Sequence, residues 1–483
     1  MIHFKAIGKI MGALLMLLSL LMLPGVGFAL YFDSGDERAL LLSALSSFTV
    51  GGVLFFSFSK QDQNIRKREG YMIVSLSWLL MSIFGMLPYI LSGTIINFSD
   101  AIFETISGLT TTGATVLQDI ESTPKGVLFW RSMTQWIGGL GIIVLTVAIF
   151  PLLGIGGIEL FVAESPGPTS DKLHPRIRET AKRLWYVYVG LTILAGVLYL
   201  VGGMTFYDAI NHALTTMATG GFSTKNASMA YYTSPFIQYV AILFMFLAGT
   251  NFTVIYFGIT GKFSRVWRSD EFKAYTTVLI VLAVILSFPV YHYSGQEIEK
   301  SFRDTLFQVV SLITTTGFVT ADYTSYHSGL TLLFFMMLFF GASAGSTSGG
   351  IKFVRHLTFF KNSWLEFKRI VHPRAVVPLK INGDRVTGKI ITHIMNFLLI
   401  YLMIFTFGSV VIAIMGYDIM TAFGAVATSL GNVGPAIGRV GPMDNFAFFD
   451  PFSKIFLSFL MLLGRLELFT ILVLFTPYFW RAN

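Results

Sequence analysis

Two stretches of this chain place oxygen-bearing groups inside otherwise apolar sequence. Residues 109–116 read LTTTGATV and residues 312–320 read LITTTGFVT, so three threonines and a glycine twice interrupt a hydrophobic run. Threonine offers a hydroxyl oxygen, and glycine lets the backbone adopt the positive φ that turns carbonyl oxygens toward a common line. A ring of such neutral oxygens can replace the hydration shell of a monovalent cation. The two stretches therefore favour a site for K⁺ or Na⁺.

The same pattern occurs four times at matched spacing. In each copy an Asp or Thr opens an apolar stretch of about ten residues, and a glycine follows 13 positions after that opening residue. Chance alone would not keep this register four times. The copies are DAIFETISGLTTTGA from Asp100, DAINHALTTMATGGF from Asp208, DTLFQVVSLITTTGF from Asp304 and TAFGAVATSLGNVGP from Thr421.

Each copy reads as a short helix followed by extended backbone. Asp and Thr are common N-cap residues, so Asp100, Asp208, Asp304 and Thr421 are predicted to cap these helices. About ten apolar residues are too few to span a bilayer but suit a buried half-helix. Non-helical backbone at membrane depth is tolerated only when it is buried or lines a path for water. We therefore expect four re-entrant half-helices, each followed by a segment that lines a central pore.

The C-terminal ends of four half-helices would all point their partial negative charge at this pore. The lining segments contain no Asp, Glu, Lys or Arg, so backbone carbonyls would carry the coordination. An alternative is that these small residues only help helices to pack in the membrane. The predicted K⁺-binding residues are Thr111, Thr112, Gly113, Thr219, Gly220, Gly221, Thr315, Thr316, Gly317, Asn432, Val433 and Gly434.

Composition places these motifs in a membrane protein that contacts the lipid bilayer. The 483 residues are 54% hydrophobic and 12% charged, which is too little polar surface for a water-soluble globule of this size. The first apolar run is about twice the length of a signal-peptide core, so we interpret it as a retained helix. Ten candidate spans follow from the apolar runs: 9–31, 38–58, 71–92, 128–153, 184–203, 235–258, 274–293, 329–350, 389–416 and 453–479.

The distribution of Lys and Arg along the chain predicts the orientation of the spans in the membrane. If both termini are cytoplasmic, most of the 34 Lys and Arg fall in internal segments, including the basic runs 165–183 and 352–389. The external loops are then acidic, which would concentrate cations at that face. The net charge of +8 thus reflects the excess of Lys and Arg in the internal segments and is not a sign of nucleic-acid binding. The basic runs would flank the inner leaflet or dock a regulatory protein.

Several motifs along the chain belong to one known pattern. They are FETISGLTTTGATV, WIGGLGIIVL, ATGGFSTKNASM, SLITTTGFVT, GASAGSTSGGIKFVR, FKRIVHPRAV, NVGP and LGRLELFTILVLFTPYFWR. In these motifs the chain resembles the TrkH family of bacterial K⁺ uptake subunits, within the Trk/Ktr/HKT superfamily, and the resemblance covers essentially the whole chain. One departure is that the second and fourth lining segments read ATGG and GNVG, so the ring is not chemically symmetric.

The resemblance implies an all-α polytopic membrane protein with four M1–pore helix–M2 repeats around a pseudo-fourfold pore. It would have about ten transmembrane helices, a homodimeric assembly, a cytosolic nucleotide-binding partner resembling TrkA, and a place in the bacterial inner membrane. We find no nucleotide site in this chain, since no Gly-x4-Gly-Lys-Ser/Thr motif occurs. The expected domains are an N-terminal helix pair at 1–69 and repeats at 70–155, 156–262, 263–356 and 357–483.

Two features bear on gating. Residues 341–350 consist only of Gly, Ala, Ser and Thr, so the helix expected there should break. The family has an intramembrane loop at the matching position that obstructs permeation, and a packing face of small residues is the alternative. The predicted gating residues are Gly341, Gly345, Ser346, Thr347, Gly349, Gly350 and Arg465.

Arg465 stands near the centre of the last span, where a guanidinium is costly unless it is paired or faces water. The resemblance places it in the pore below the lining segments, as an electrostatic barrier to cations. The alternative is a structural interaction with Glu467 or with backbone carbonyls of the broken helix.

The sequence predicts a channel-like K⁺ uptake protein and not an enzyme. Potassium is then the transported, pore-bound ion, and no other cofactor is expected. A symporter coupled to H⁺ or Na⁺ on the same scaffold is the alternative, for which Glu467 is the candidate proton carrier. A membrane-embedded enzyme would need paired carboxylates or histidine clusters that we do not find. A receptor or scaffold would leave the four matched segments unexplained.

Overall fold

The computed structural model describes residues 4–58, 67–139, 141 and 177–481. These residues are mostly helical and are joined by loops and turns, with a small hairpin of strands Lys380–Ile381 and Asp384–Arg385. Part of the predicted span 128–153 and of the basic run 165–183 lies outside the described residues. The longer helices are Phe4–Phe32, Glu37–Ser57, Lys67–Gly85, Lys125–Gly139, Ile177–Val201, Pro235–Ala248, Asp270–Ser294, Phe353–Val371, Gly388–Ile414 and Pro451–Arg465.

Between these helices stand four short ones, which we call half-helices 1 to 4. They are Phe98–Leu109, Phe206–Met217, Ile298–Ile313 and Ile419–Gly431. Further short helices are Leu87–Leu91, Phe252–Ile259, Phe263–Arg268, Ser328–Met337, Phe469–Leu472 and Pro477–Trp480, with 3₁₀ turns at Ser228–Tyr231, Gly438–Val440 and Val473–Phe475. Among the described residues, six helices are long and apolar enough to cross a membrane, and two bent pairs bring the number to eight.

The predicted caps of the half-helices are wrong. Asp100, Asp208 and Thr421 are each the third residue of their helix, and Asp304 lies well inside half-helix 3. The N-cap positions fall three residues earlier in half-helices 1, 2 and 4. In half-helices 2 and 4 the N-cap side chain accepts from the backbone N–H of the third helical residue. Thr205 Oγ1 accepts from Asp208 N at 3.1 Å, and Asp418 Oδ2 accepts from Thr421 N at 3.0 Å. The N-cap residues of half-helices 1 and 3 are Asn97 and Glu297.

Two predicted continuous spans are broken. Residues 235–258 form two helices bent by 110° around residues 249–251, and residues 453–479 bend by 108° after Arg465. At the first break, Thr347 N donates to Ala248 O at 3.3 Å and Ser343 N donates to Gly249 O at 3.0 Å. These donors come from a loop that is distant in sequence. They bind the carbonyl oxygens that would otherwise accept from the next turn of the helix, so the helix can end here without unsatisfied carbonyl groups.

The N-terminal helix pair packs through a close backbone contact. A Cβ built on Gly12 would lie 2.5 Å from Gly51 O, and one built on Gly51 would lie 2.7 Å from Gly12 O. Small residues permit this approach between helices in membranes. The pair is tied to the rest of the fold by Asp36, whose Oδ2 accepts from Val127 N at 2.6 Å.

We expect Gly51→Ala to destabilise this helix pair, because the added methyl would meet backbone atoms of Gly12 and Met16 closer than 3.0 Å. Overpacking of this kind costs about 1–3 kcal/mol. Gly52→Ala is the matched control: the same methyl is added to the same helix, where nothing lies within 4 Å. Thermal unfolding in detergent should show a lower melting temperature for Gly51→Ala than for Gly52→Ala. Equal melting temperatures would refute the close-contact account.

Candidate functional site

The four lining segments share one backbone conformation. One residue at the C-terminal end of each half-helix is left-handed, with φ of 55° at Thr111, 52° at Thr219, 56° at Thr315 and 54° at Asn432. The three threonines directly follow the C-cap residue, and Asn432 is itself the C-cap. Positive φ is uncommon outside glycine. Two residues later each segment has a positive-φ glycine, at 83° for Gly113, 77° for Gly221, 78° for Gly317 and 100° for Gly434.

A common hydrogen bond holds this conformation. In each segment the backbone N–H of the residue before the glycine donates back five positions to a carbonyl in the last turn of its half-helix. This bond turns the chain out of the helix and into the extended segment. The four bonds are Thr112 N to Ser107 O at 2.9 Å, Gly220 N to Thr215 O at 3.0 Å, Thr316 N to Ser311 O at 2.8 Å and Val433 N to Thr428 O at 3.1 Å.

The glycines and carbonyls of the four segments form a closed ring. A Cβ built on each segment's glycine would fall against the carbonyl oxygen that precedes the glycine of the next segment. The distances are 2.2 Å from Gly113 to Gly220 O, 2.0 Å from Gly221 to Thr316 O, 2.0 Å from Gly317 to Val433 O and 2.8 Å from Gly434 to Thr112 O. The fourth contact returns to the first segment, so the segments are arranged in a cycle.

This arrangement gathers neutral oxygens at one place. The side chains of Thr111, Thr219, Thr315 and Asn432 are fully buried. The half-helix C-termini that lead into the ring carry partial negative charge. Carbonyl and hydroxyl oxygens without a fixed charge suit a weakly held monovalent cation that must enter and leave.

A loop follows helix Ser328–Met337, which ends four residues before the predicted break. We call residues 338–352 the intramembrane loop. It reaches the lining segments directly: Gly349 N donates to Thr315 Oγ1 at 2.7 Å, and Thr219 Oγ1 and Thr347 Oγ1 are 3.3 Å apart. The loop is therefore hydrogen-bonded to two threonine hydroxyl groups at one end of the ring.

The glycines predicted for this loop shape its backbone. Gly345 and Gly350 have φ of 72° and 65°. Gly341 N donates to Ile351 O at 2.8 Å, and a Cβ on Gly341 would lie 2.5 Å from Gly349 O. Ser346 Oγ donates to Ser343 O at 2.6 Å. These contacts fold the loop into a compact turn.

Glu271 joins the middle of the intramembrane loop to the start of the next helix, Phe353–Val371, which the sequence did not indicate. Its Oε1 accepts from Ala344 N at 2.8 Å and from Val354 N at 3.1 Å. Lys352 Nζ donates to Ser348 O within the loop. The loop is thus held by specific polar contacts at several points.

Arg465, the last residue of helix Pro451–Arg465, binds backbone carbonyls around this loop. Its Nη1 donates to Thr347 O at 2.8 Å, and its Nη2 donates to Gly138 O and to Gly139 O, the latter at 2.9 Å. Glu467, the alternative partner, instead pairs with Arg355. The guanidinium therefore links the intramembrane loop to the end of helix Lys125–Gly139.

The residues predicted as caps have other partners. Asp100 pairs with Lys454 at 2.7 Å, and Asp208 Oδ1 accepts from Thr224 Oγ1 at 2.6 Å. Thr421 Oγ1 accepts from Arg439 N at 3.0 Å. These contacts hold the start of half-helix 1 against helix Pro451–Arg465, and the starts of half-helices 2 and 4 against the segments that return from the ring.

A carboxylate outside the membrane-spanning helices lies on the loop that follows the first lining segment. Asn226 Nδ2 donates to Asp119 Oδ1 at 3.3 Å, and its Oδ1 accepts from Ile120 N at 2.8 Å. The hydrogen bond from Asn226 lowers the pKa of Asp119 below its ordinary value. Asp119 is therefore ionised at neutral pH, and Asn226 links the loops after the first two segments.

Comparison with known proteins gives one consistent result. The family model for TrkH, described as a cation transport protein, matches residues 38–481. The chain is 40% identical to the Trk system potassium uptake protein TrkH of Salmonella typhimurium, over 99% of this chain and all of that protein. It is 35% identical to the Trk system potassium uptake protein TrkG of Escherichia coli, over 99% of each chain.

A solved structure has the same fold. The crystal structure of the potassium transporter TrkH from Vibrio parahaemolyticus superposes with a TM-score of 0.89 at 36% sequence identity. The match covers 99% of this chain and all of that one. Together with the apolar spans, the likeness identifies an all-helical, multi-pass membrane protein with re-entrant helices.

Proposed function

Because the chain belongs to the TrkH family of cation transport proteins, we propose that it carries K⁺ into the cell through the ring formed by its four lining segments. The chain is a transporter and not an enzyme. The transported ion binds in the ring, which we call the selectivity filter. The observation that carries the proposal is the closed cycle in which each filter glycine lies against a carbonyl oxygen of the next segment.

The predicted filter residues divide into two layers in this proposal. The carbonyl oxygens of Thr112, Gly220, Thr316 and Val433, each next to a filter glycine, form the main ligand layer. The side chains of Thr111, Thr219, Thr315 and Asn432 surround the inner end of the filter. Asn432 differs from the three threonines: its Nδ2 donates to Thr112 Oγ1 at 3.0 Å and to Met461 O at 2.9 Å, so it also fixes the position of its neighbour.

Gating in this proposal depends on the intramembrane loop. The hydrogen bonds that join the loop to Thr315 and Thr219 support a closed position directly below the filter. Arg465 adds a positive charge at this level and holds the loop through Thr347 O. Withdrawal of the loop would free the filter hydroxyls and clear the path.

We place both termini in the cytoplasm and the chain in the bacterial inner membrane. The excess of Lys and Arg in the internal segments supports this orientation. The inside-negative potential then supplies about 2.3 kcal/mol per charge per 100 mV, which is enough to accumulate K⁺ without covalent energy.

The proposal keeps the domain division into 1–69, 70–155, 156–262, 263–356 and 357–483. The recurrence of a long helix, a half-helix and a lining segment supports four repeats. A homodimer and a cytosolic nucleotide-binding subunit resembling TrkA complete the assembly. Coupled symport is less well supported, because Glu467, its candidate proton carrier, forms an ion pair with Arg355.

Uptake of ⁸⁶Rb⁺ into liposomes that contain the purified protein tests the function. With an inside-negative potential, the protein should admit Rb⁺, and external K⁺ should compete far better than Na⁺. Dependence of uptake on potential alone, with no effect of a pH or Na⁺ gradient, is the result expected for a channel. Absence of uptake, or equal competition by K⁺ and Na⁺, would refute the proposal.

A further inference from the structure

The four half-helices differ at one buried, equivalent position. This position lies four residues after Asp100, Asp208, Asp304 and Thr421, and it holds Glu104, His212, Gln308 and Ala425. All four side chains are at most 1% exposed. Buried polar groups are costly unless they are hydrogen-bonded, so three polar residues at this position need a structural reason.

Three of these residues bind the chain that leaves the filter in their own repeat. Glu104 accepts from Val116 N at 2.8 Å and from Thr115 Oγ1 at 2.9 Å. His212 Nε2 lies 2.9 Å from Ser223 Oγ, and Gln308 Nε2 donates to Ala321 O at 3.1 Å. The half-helix thus holds the outer part of the extended chain formed by its lining segment and the residues directly after it, which we call the filter strand of that repeat. Alanine in the fourth repeat offers no polar atom for this purpose.

In the first repeat this position holds an acidic residue, Glu104. Its ion-pair partner also contacts the second repeat. Arg131 on helix Lys125–Gly139 pairs with Glu104, with Nε 2.6 Å from Oε1, and both side chains are buried. The Nη1 atom of Arg131 donates to Ser223 O at 3.1 Å, and its guanidinium carbon lies 3.4 Å from the centre of the Phe222 ring. One guanidinium therefore connects the filter strands of two neighbouring repeats.

Gln135, one turn further along the same helix, holds the second filter strand at the ring itself. Its Nε2 donates to Gly220 O at 2.6 Å, and its Oε1 accepts from Phe222 N at 3.0 Å. Gly220 O is also the carbonyl against which Gly113 lies in the closed ring. The amide of Gln135 is thus in direct contact with the junction between the first and second filter strands.

We infer that Glu104, Arg131 and Gln135 form a filter brace that sets the spacing between the first two filter strands and so determines K⁺ over Na⁺ selectivity. The inference rests on the proposed function. These are positioning residues: Glu104 and Arg131 act through the backbone of the outer strands, and Gln135 fixes the direction of the Gly220 carbonyl. Discrimination between cations of different size depends on the number and positions of the carbonyl dipoles. A carbonyl that loses its hydrogen-bond donor is free to move, and this movement weakens the discrimination.

The test uses Gln135→Met, which removes both hydrogen bonds, keeps the side-chain volume and leaves no buried charge unpaired. The readout is the ratio of the Na⁺ and K⁺ concentrations that halve ⁸⁶Rb⁺ uptake into liposomes. Loss of two hydrogen bonds to buried backbone groups should reduce this ratio by roughly tenfold. The maximal uptake rate should change much less than the ratio.

Trp136→Phe is the matched control, because it removes a hydrogen bond from the same helix, between Trp136 Nε1 and Thr192 Oγ1, without touching the filter. It should leave the ratio unchanged. Arg131→Lys is a second test variant: it keeps the charge beside Glu104 but loses the planar group that reaches Glu104 and Ser223 O at once. It should also reduce the ratio.

Selective uptake by the unmodified protein with an unchanged ratio in both Gln135→Met and Arg131→Lys would overturn the filter brace and leave the proposed function standing. Absence of selective uptake in the unmodified protein would overturn the proposed function, and the brace with it. Melting temperatures of the variants in detergent separate a loss of selectivity from a loss of folding.

Discussion

Gly317→Ser is expected to abolish the preference for K⁺ over Na⁺ in ⁸⁶Rb⁺ uptake. A Cβ at this position would lie 2.0 Å from Val433 O and 2.9 Å from Pro435 Cδ, so the third and fourth filter strands must separate. The left-handed φ of 78° adds strain for any side chain. We expect the Na⁺/K⁺ competition ratio to fall roughly 100-fold, which corresponds to about 2.8 kcal/mol of lost differential binding.

Two controls isolate the ring contact from the other effects of the substitution. Gly93→Ser introduces the same side chain at a similar φ of 73°, but with nothing within 4 Å, and should leave selectivity intact. Gly434→Ala meets Thr112 O at the longer distance of 2.8 Å and should have an intermediate effect. Normal selectivity in Gly317→Ser, or an equal loss in Gly93→Ser, would contradict the ring account.

Arg465→Met is expected to raise Rb⁺ uptake by the protein alone. The substitution removes a positive charge beside the path and the contact that holds Thr347 O. A unit charge about 4 Å from a passing cation costs about 4 kcal/mol at an effective dielectric of 20, and only part of this barrier would limit the rate. We therefore expect uptake to increase roughly 10- to 100-fold in liposomes without any partner protein.

Arg465→Lys separates charge from loop anchoring, because it keeps the charge but cannot reach Thr347 O and the carbonyls of Gly138 and Gly139 with one planar group. Its uptake should lie between that of the unmodified protein and that of Arg465→Met. Arg439→Met, at an exposed position in the same repeat, should have no effect. Unchanged or reduced uptake in a correctly folded Arg465→Met would contradict the barrier role.

The register of the four lining segments could be predicted from sequence because it depends on short-range rules. The spacing between an acidic or threonine residue and a glycine 13 positions later identified all four segments, and the structure gives the same φ pattern at each. The same alignment misplaced the caps. In half-helices 1, 2 and 4 it selected the third helical residue instead of the N-cap, and in half-helix 3 it selected a residue further inside the helix. The backbone N–H of a third helical residue donates to the true N-cap in half-helices 2 and 4, where the caps are Thr205 and Asp418.

The break in the predicted span 235–258 was missed because its cause is distant in sequence. Residues 235–258 are mostly apolar, and hydropathy alone favours one continuous helix. The break is stabilised by Ser343 N and Thr347 N from the intramembrane loop, and Asn251 Oδ1 caps the next helix by accepting from Thr253 N at 2.8 Å. A polar Thr-Asn pair inside a span was the available signal.

The filter brace was missed for a similar reason. Arg131 and Gln135 stand out as polar residues in the predicted span 128–153, but their partners lie 27 to 92 positions away in the chain. Only the contact between the first two repeats brings Glu104, Arg131 and Ser223 together. Side chains one helical turn apart, such as Arg131 and Gln135, are the pattern that sequence reasoning could have used.

The most direct test of the ion site is to locate the ion itself. The anomalous scattering of Rb⁺ in crystals of the protein grown with Rb⁺ in place of K⁺ should give a peak encircled by the carbonyl oxygens of Thr112, Gly220, Thr316 and Val433. Crystals of Gly317→Ser should lose that peak. Anomalous density elsewhere in the protein, with none inside this ring, would contradict the claim that the four strands form the ion site.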